Sequence, residues 1–356
     1  MTRYIIVRVV WIFIVLFTIL SLNFTLLKVA PEYPPVTEDE RNLWLAKQVS
    51  DGYMTLEIEY DSDLLEEYRD PLFEKCDKCF YFDEGDSFRI FEPVPIAKQY
   101  FRWVSNIVTD WDWGNSTRVQ VGVPAFDILK TRMPVTMKLN FLALGFYIPI
   151  GLGLGILAAL KKNSRTDNVI SLSVMIFISI PSFVVMTMLV MILGYEAGWL
   201  PTQFPAQDIQ GAIQYKGLVI PILGLSFGSI AGLTRMTRAE LTEVLTSEFL
   251  LLARTKGLTR GQSVIRHAMR NSMVPLIPGI IGSFIGVLSG SVIIEIIYGV
   301  PGTGRVFLRA LSKNNYDYNL LLVTTAFYTT ISLITVLLVD LSYGLVDPRI
   351  RMGARK

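Results

Sequence analysis

The chain's 356 residues are 51% hydrophobic and only 18% charged, with a mean hydropathy of +0.44. Length alone would allow two or three soluble domains, but soluble domains carry about 25% charged residues, so composition excludes that organisation. A formal net charge of +2 singles out no nucleic-acid partner, and the single histidine, His267, excludes a histidine-rich metal cluster.

Tyr4–Leu27 is nearly all apolar, with Arg8 near its start and Thr18, Ser21, Asn23 and Thr25 towards its end. About 20 residues at 1.5 Å each cross the hydrocarbon core of a bilayer. A cleaved signal peptide is the rival reading, but the run is long for one and no A-x-A site follows. A retained anchor over 1–27 is expected.

Residues 28–112 form a different kind of segment. Lys28–Arg132 holds 21 of the chain's 31 acidic residues but only 12 of its 33 basic ones. Pro31, Pro34 and Pro35 suggest an extended exit. Thr37-Glu38-Asp39-Glu40 reads as a capping box opening a helix that carries Leu43, Trp44 and Val49. Tyr53–Tyr60 alternates as a strand does, and Asp63–Lys75 looks helical. Phe80–Phe82 and Phe88–Phe91 read as a hairpin around a Gly85-containing turn. Ile96, Tyr100, Val104, Ile107 and Val108 share one face of a helix. The expectation is a small α+β insert outside the membrane.

The rest, 113–356, alternates apolar runs with basic segments. Val135–Leu160 is a glycine-rich span (Gly145, Gly151, Gly153, Gly155), suited to close helix packing. Val169–Leu193 is a third span with Pro181 in its middle, tolerated if neighbours satisfy the freed carbonyl. Leu218–Leu233 is a short fourth span. Met273–Ile297 is a fifth, expected to break early at Pro275 and Pro278. Tyr298–Asn319 reads as an outer loop and Leu320–Leu345 as the sixth span. Six spans put both termini on one side. The basic N-terminus, the turn at Lys161, the stretch Arg235–Pro278 and the tail from Arg349 all fall there, which the positive-inside rule makes cytoplasmic. The acidic insert is then extracellular.

The stretch 235–272 is too long and too patterned for a simple connector. Leu241, Val244, Leu245, Phe249 and Leu252 recur at helical spacing within Ala239–Ala253. Gly257 sits at a plausible C′ position, and Thr259 can cap a second helix over Gly261–Asn271. The bland alternative is a charged cytoplasmic loop that merely obeys the positive-inside rule.

Ala253-x-x-x-Gly257 in this setting resembles the EAA loop of ABC-importer permeases. The run from Ala253 to Pro275 (ARTKGLTRGQSVIRHAMRNSMVP) resembles the oligopeptide/dipeptide/nickel branch, in its first-permease, B-type subunit. Further likenesses fall in order along the chain. They are MTRYIIVRVVWIFIVLF at the start, Trp113-Gly114-Asn115-Ser116 with Ile128-Leu129-x-x-Arg132-x-Pro134-x-Thr136, Val292-Ile293-Ile294-Glu295-x-x-Tyr298-Gly299-x-Pro301-Gly302-x-Gly304-Arg305, and Leu345–Arg351. Leu251 and Leu252 stand where the general pattern has Glu and its first Ala. The insert falls outside anything the likeness covers.

The resemblance implies an all-α polytopic membrane protein with six transmembrane helices of the type I ABC importer permease fold, carrying the insert between helices 1 and 2. It implies a permease subunit of the cell membrane, not an enzyme, that works with a second homologous permease, two ATPase subunits and an extracellular, lipid-anchored substrate-binding protein. ATP and Mg would be held by the ATPase subunits, and no cofactor or metal by this chain. No G-x-x-x-x-G-K-[ST] motif occurs in it. The implied cargo is an oligopeptide or dipeptide, with nickel, another metal chelate or an oligosaccharide as alternatives. A secondary transporter or channel is the reading from a different class; the spans lack paired acids or a basic ladder for ion coupling. The implied ATPase-coupling residues are Glu248, Leu252, Ala253, Arg254, Lys256, Gly257 and Leu258. Pathway or outer-gate candidates are Asn271, Pro275, Glu295, Pro301, Gly302 and Gly304. Glu295 either lines the pathway or holds the loop after it, the second being preferred. Cys76-x-x-Cys79 is read as an extracellular disulfide, with free thiols or half of a shared zinc site as alternatives. His267 is read as structural. Contact with the binding protein is the first-ranked role for the insert.

Overall fold

The computed structural model describes residues 2–30, 37–59, 79–83, 88–205, 212–312 and 316–346. Among the described residues, four helices are long and apolar enough to cross a membrane: Ile5–Val29, Ala125–Leu160, Tyr215–Leu245 and Tyr318–Gly344. Two sharply bent pairs raise that number to six if each counts as one span. They are Arg165–Ser179 with Ser182–Glu196, bent by 100°, and Ser291–Tyr298 with Thr303–Ala310, bent by 85°. The chain divides into two compact units, Met1–Thr131 with Val306–Thr329, and Arg132–Arg305 with Thr330–Lys356.

In the first unit, α1 (Thr2–Val29) is followed by α2 (Glu38–Ser50) and a three-stranded antiparallel sheet of β1 (Met54–Glu59), β2 (Phe80–Asp83) and β3 (Phe88–Pro93) in the order β1-β3-β2. Pairing runs from Met54 opposite Pro93 to Glu59 opposite Phe88, and from Phe80 opposite Phe91 to Asp83 opposite Phe88. The expected strand and hairpin therefore form. The turn at 84–87, the expected helix Asp63–Lys75 and Cys76 lie outside the described residues. Cys79 is disulfide-bonded. Thr37 is the N-cap of α2, but its side chain makes no capping hydrogen bond, so the expected capping box is not closed. The sheet is covered by α2 through Trp44 and Leu45, which pack on Met54 and Phe91.

Helix α3 (Ile96–Asp110) follows the sheet and leans on α1. Phe24 lies 4.9 Å from the Trp103 ring and 5.6 Å from the Tyr100 ring, and Ser21 shares a 2.7 Å hydrogen bond with the Tyr100 hydroxyl. In the last turn of α1, the Lys28 ammonium sits over two rings, Tyr53 at 4.6 Å and Tyr318 at 5.1 Å. The segment from Trp113 into α4 (Ala125–Leu160) is fastened by Asp317. One carboxylate oxygen of Asp317 accepts from the Ser116 hydroxyl at 2.5 Å and from the backbone N–H groups of Thr117, Arg118 and Val119 at 3.1–3.2 Å. The other accepts from Leu320 N–H at the start of α12 (Tyr318–Val346).

In the second unit, α4 packs against α7 (Ala212–Leu245), a 34-residue helix that runs well past the expected fourth span. The contact is close where glycine allows it. A Cβ at Gly155 would lie 2.5 Å from Thr237, and Thr234 donates its hydroxyl to the Gly151 carbonyl at 3.2 Å. The shared core joins Leu139, Tyr147, Met186, Ile220, Leu225, Ile294 and Tyr298. Pro181 does not sit inside a continuous third span. The chain breaks there into α5 (Arg165–Ser179) and α6 (Ser182–Leu189), the latter ending in a π-helical segment, Val190–Glu196. Proline disfavours helical geometry in the residue before it, and Ile180 is extended at φ −95°, ψ 123°.

The reverse correction applies to the fifth span. The helix α10 (Met269–Tyr298) passes through Pro275 and Pro278 without breaking. The carbonyls those prolines leave unbonded belong to Asn271 and Val274, in the helix's first turns, where Asn271 is exposed. The expected outer loop Tyr298–Asn319 also contains a helix, α11 (Thr303–Ala310).

Candidate coupling helix and outer latch

The two ends of α7 and α10 frame the first candidate site. The helix expected over Ala239–Ala253 is broken in two. It stops at Leu245, and the Thr246 and Ser247 hydroxyls turn back to bond the carbonyls of Glu243 and Val244 at 2.9 and 2.5 Å. Such back-bonding offers the backbone an alternative to the helical ladder. The short helix α8 (Glu248–Thr255) then starts with Glu248 in its first turn and ends with Arg254 in its last, complementing the helix dipole at both ends. Gly257 closes it at φ +94°, a left-handed conformation that favours glycine. Thr259 and Gln262 form a reciprocal capping box opening α9 (Arg260–Ser263), and the chain continues through a π-helical segment, Val264–Ala268, into α10. The Gly257 turn and the Thr259 cap thus form where the sequence places them.

One side of α8 is anchored and the other is free. Leu250 is buried with Leu241, Ala268 and Ala159, which ties α8 to the ends of α7, α10 and α4. Around it Phe249, Leu251 and Leu252 are 43%, 63% and 57% exposed. Glu248, Arg254, Lys256 and Gly257 are exposed as well, while Ala253 and Leu258 are half-buried. All seven expected coupling residues therefore lie on one helix and the turn that ends it. Phe249 and Leu251 share this exposed surface, though the sequence places them only on an apolar helical face and at the Glu position of the general pattern. The available signal was the unbroken run Phe249–Leu252, since four consecutive residues go round the whole helix and one packed side cannot cover them all. His267 is half-buried in the π-helical segment, and among the described residues no group of His, Cys, Asp or Glu could hold a metal.

A second feature beside this helix was not read from the sequence. Arg238 of α7 makes a two-pronged ion pair with Asp167 at the start of α5, Nε to Oδ1 at 2.6 Å and Nη2 to Oδ2 at 2.8 Å. Asp167 is 1% exposed and also accepts from Asn163 N–H at 2.9 Å and the Ser171 hydroxyl at 3.3 Å. Ser164-x-x-Asp167 is a helix-opening pattern, which was the sequence signal available for half of this pair.

The outer candidates separate into two places. Glu295 is fully buried. Its carboxylate accepts from the Thr136 hydroxyl at 2.7 Å and from Gly304 N–H at 2.8 Å, while Thr303 N–H donates to the Thr136 oxygen at 2.8 Å. Gly302 lies against this pair so closely that a Cβ there would meet both Glu295 and Thr136 at 2.4 Å. Glu295 thus aims at the loop backbone, bonding Gly304 N–H with Gly302 packed against it, and Pro301 precedes this contact. Nearby, Phe204 N–H donates to the Tyr298 carbonyl at 2.8 Å and the Tyr298 hydroxyl donates to the Pro201 carbonyl at 2.5 Å, drawing a second loop to the same helix end. Asn271 and Pro275 are not part of this arrangement. They sit near the other end of α10, 20 or more residues and so about 30 Å or more away along the helix.

Residues 151–352 match the model of the family described as "Binding-protein-dependent transport system inner membrane component". The chain is similar to the oligopeptide transport system permease protein OppB of Haemophilus influenzae, at 33% identity over 257 residues, covering 72% of this chain and 81% of that relative. It is 33% identical over 258 residues to the dipeptide transport system permease protein DppB of Lactococcus lactis, covering 82% of that protein. It is 34% identical over 259 residues to DppB of Bacillus subtilis, covering 80% of it. Among solved structures, a chain from the inward-facing MetNI methionine ABC transporter shares the fold with a TM-score of 0.52 at 18% identity, over 62% of this chain and 97% of that one.

Proposed function

The chain belongs to the family of binding-protein-dependent transport system inner membrane components and is a multi-pass membrane permease of the oligopeptide/dipeptide branch of ABC importers; from that premise we propose that α8 is the element through which separate ATPase subunits drive it. The observation that carries this is the contrast within α8 itself. Leu250 is buried against the ends of three long helices, while Phe249, Leu251 and Leu252 beside it are uncovered. A helix pinned on one side and apolar on the other can receive a push and pass it to α4, α7 and α10 as one body.

The remaining assignments follow from the same premise. A second homologous permease would complete the pathway, two ATPase subunits would bind and hydrolyse ATP with Mg, and an extracellular, lipid-anchored binding protein would deliver cargo. The N- and C-termini and α8 lie in the cytoplasm and the insert outside, as the distribution of basic residues supports. The cargo is a peptide, which the names of the relatives support.

The test is Leu252→Asp in the full transporter. A charge on an exposed position leaves the chain folded and membrane-inserted. The expected result is loss of co-purifying ATPase subunits and loss of peptide uptake. Unchanged co-purification and uptake would remove α8 from the coupling role. Substrate-stimulated ATP hydrolysis across a peptide panel tests the cargo separately.

A further inference from the structure

Helix α3 has three distinct stripes. Successive residues turn by about 100°, so Tyr100, Trp103 and Ile107 share one direction, and Phe101, Val104 and Val108 share the next. Lys98, Arg102, Ser105 and Thr109 take the direction beyond that. The first stripe meets α1, as the Phe24 ring contacts and the Ser21–Tyr100 hydrogen bond show. The third is turned to the insert at Arg102, which closes over the backbone at Gly52. The second is largely uncovered: Phe101 is 71% exposed and Val108 78%, with Val104 half-buried between them, and Trp111, the left-handed residue that ends the helix, is 59% exposed.

What covers this stripe is set by what α3 lies against. Its neighbour α1 is the most apolar of the candidate spans and is almost unburied within the chain. On the side of α1 turned away from this contact, Leu22 and Leu26 are 59% and 68% exposed, as expected of a span that faces lipid. Depth agrees. Ser21 and Phe24 are four to seven residues before Lys28, about 6–10 Å along the helix axis. Lys28 itself is held over the Tyr53 and Tyr318 rings. A lysine among tyrosines and tryptophans at a span end marks the water–lipid boundary. Amphipathic helices that lie in that boundary bury their apolar face roughly 5–10 Å deep.

We propose that α3 is an interfacial helix, lying in the bilayer surface at the Lys28 end of α1 with Phe101, Val104, Val108 and Trp111 in the headgroup–acyl boundary of the lipid. The insert is then not a free extracellular domain. It is seated on the membrane through α3 and on α1 through Tyr100 and Trp103, so its orientation to the bilayer is fixed. This rests on the multi-pass character of the chain and not on the identity of its cargo.

The test uses the full chain in phosphatidylcholine/phosphatidylglycerol nanodiscs, with nitroxide labels on Phe101→Cys, Val104→Cys and Val108→Cys introduced one at a time. Leu26→Cys serves as the lipid reference, Lys98→Cys as the off-stripe reference, and the unsubstituted chain as the blank. Collision with oxygen, which concentrates in lipid, is compared with collision with a water-soluble nickel chelate. The expected result is that the oxygen-to-nickel ratio at 101, 104 and 108 shifts towards that of Leu26→Cys and away from that of Lys98→Cys. Ratios equal to that of Lys98→Cys would place the stripe in water, and low collision with both reagents would place it under a protein partner; either result overturns the proposal.

Discussion

Thr136 donates a 2.7 Å hydrogen bond to the Glu295 carboxylate, and neither side chain has any exposed surface. The pair joins α4 to the end of α10 and, through Thr303 and Gly304, to the first turn of α11. Replacing Glu295 with Ala would strand the Thr136 hydroxyl and the Gly304 N–H in a buried site, each orphan costing about 1–3 kcal/mol. Glu295→Gln keeps an acceptor for Gly304 and a donor that the Thr136 oxygen can accept. Thermal unfolding of the detergent-solubilised protein should therefore rank wild type above Glu295→Gln, and Glu295→Gln well above Glu295→Ala. Equal midpoints for the two variants would show that the latch is not what holds this loop.

Gly302 tests the same latch without touching its hydrogen bonds. A methyl group there would sit 2.4 Å from both Thr136 and Glu295. Gly302→Ala should force the pair apart and cost about 1–3 kcal/mol, as overpacking does. A normal unfolding midpoint together with full peptide uptake would refute the close approach.

The Asp167–Arg238 pair predicts a different pattern. Removing one member of a buried, fully bonded pair costs about 3–5 kcal/mol, and the lower end applies here because the Arg238 side chain is 33% exposed. Arg238→Met should uncouple the start of α5 from the long helix that leads to α8, lowering both stability and uptake. Asp167→Asn keeps the bond to Asn163 N–H through its amide oxygen and should be milder. The check is a double-mutant cycle on unfolding free energy; additivity of the two single effects would deny a direct interaction.

Much of this architecture is legible in the sequence because it depends on local chemistry. The apolar runs, the β2–β3 hairpin, the Gly257 turn and the Thr259 cap each follow from a few neighbouring residues. What escaped depends on partners distant in the chain. Asp167 meets Arg238 across 71 positions and Ser116 meets Asp317 across 201, and no periodicity announces either pairing. The prolines depart from expectation in both directions for a related reason. Pro181 sits where the following segment can turn away, so the helix breaks, whereas Pro275 and Pro278 lie inside a helix packed along α7 and leave it whole. The residue is the same, and the packing around it decides.

Gly257 separates backbone from contact. A Cβ there would meet nothing within 4 Å, so any cost of substitution comes from φ +94° alone. Gly257→Val should lose about 1–3 kcal/mol locally, enough to shift the end of α8 without unfolding the chain. Gly257→Asn should be nearly silent, because asparagine enters left-handed conformations more readily. The expected outcome is normal membrane insertion for both, with uptake abolished by Val and retained by Asn. Loss of uptake with Asn as well would point to a contact made by the glycine rather than to its conformation.

Asp317 gathers one side-chain hydroxyl and three consecutive backbone N–H groups on a single oxygen, and it is fully buried while doing so. Hydrogen bonds to a charged acceptor are worth about 1.5–3 kcal/mol each, but four donors on one oxygen share the same lone pairs and cannot add independently. Asp317→Asn keeps one oxygen for this cluster but turns an amide donor towards Leu320 N–H, while Asp317→Ala leaves all four donors and Leu320 N–H without this partner. The order of unfolding midpoints should be wild type, then Asn, then Ala, with the step from Asn to Ala the larger. Ser116→Ala removes one donor to Asp317 and the acceptor of Gln120 N–H but leaves the three backbone donors on the carboxylate, so it should cost less than Asp317→Ala. Limited proteolysis gives an independent readout, with cleavage between Trp113 and Pro124 rising in the same order. If Ser116→Ala proved as damaging as Asp317→Ala, the hydroxyl and not the carboxylate would be the centre of this turn.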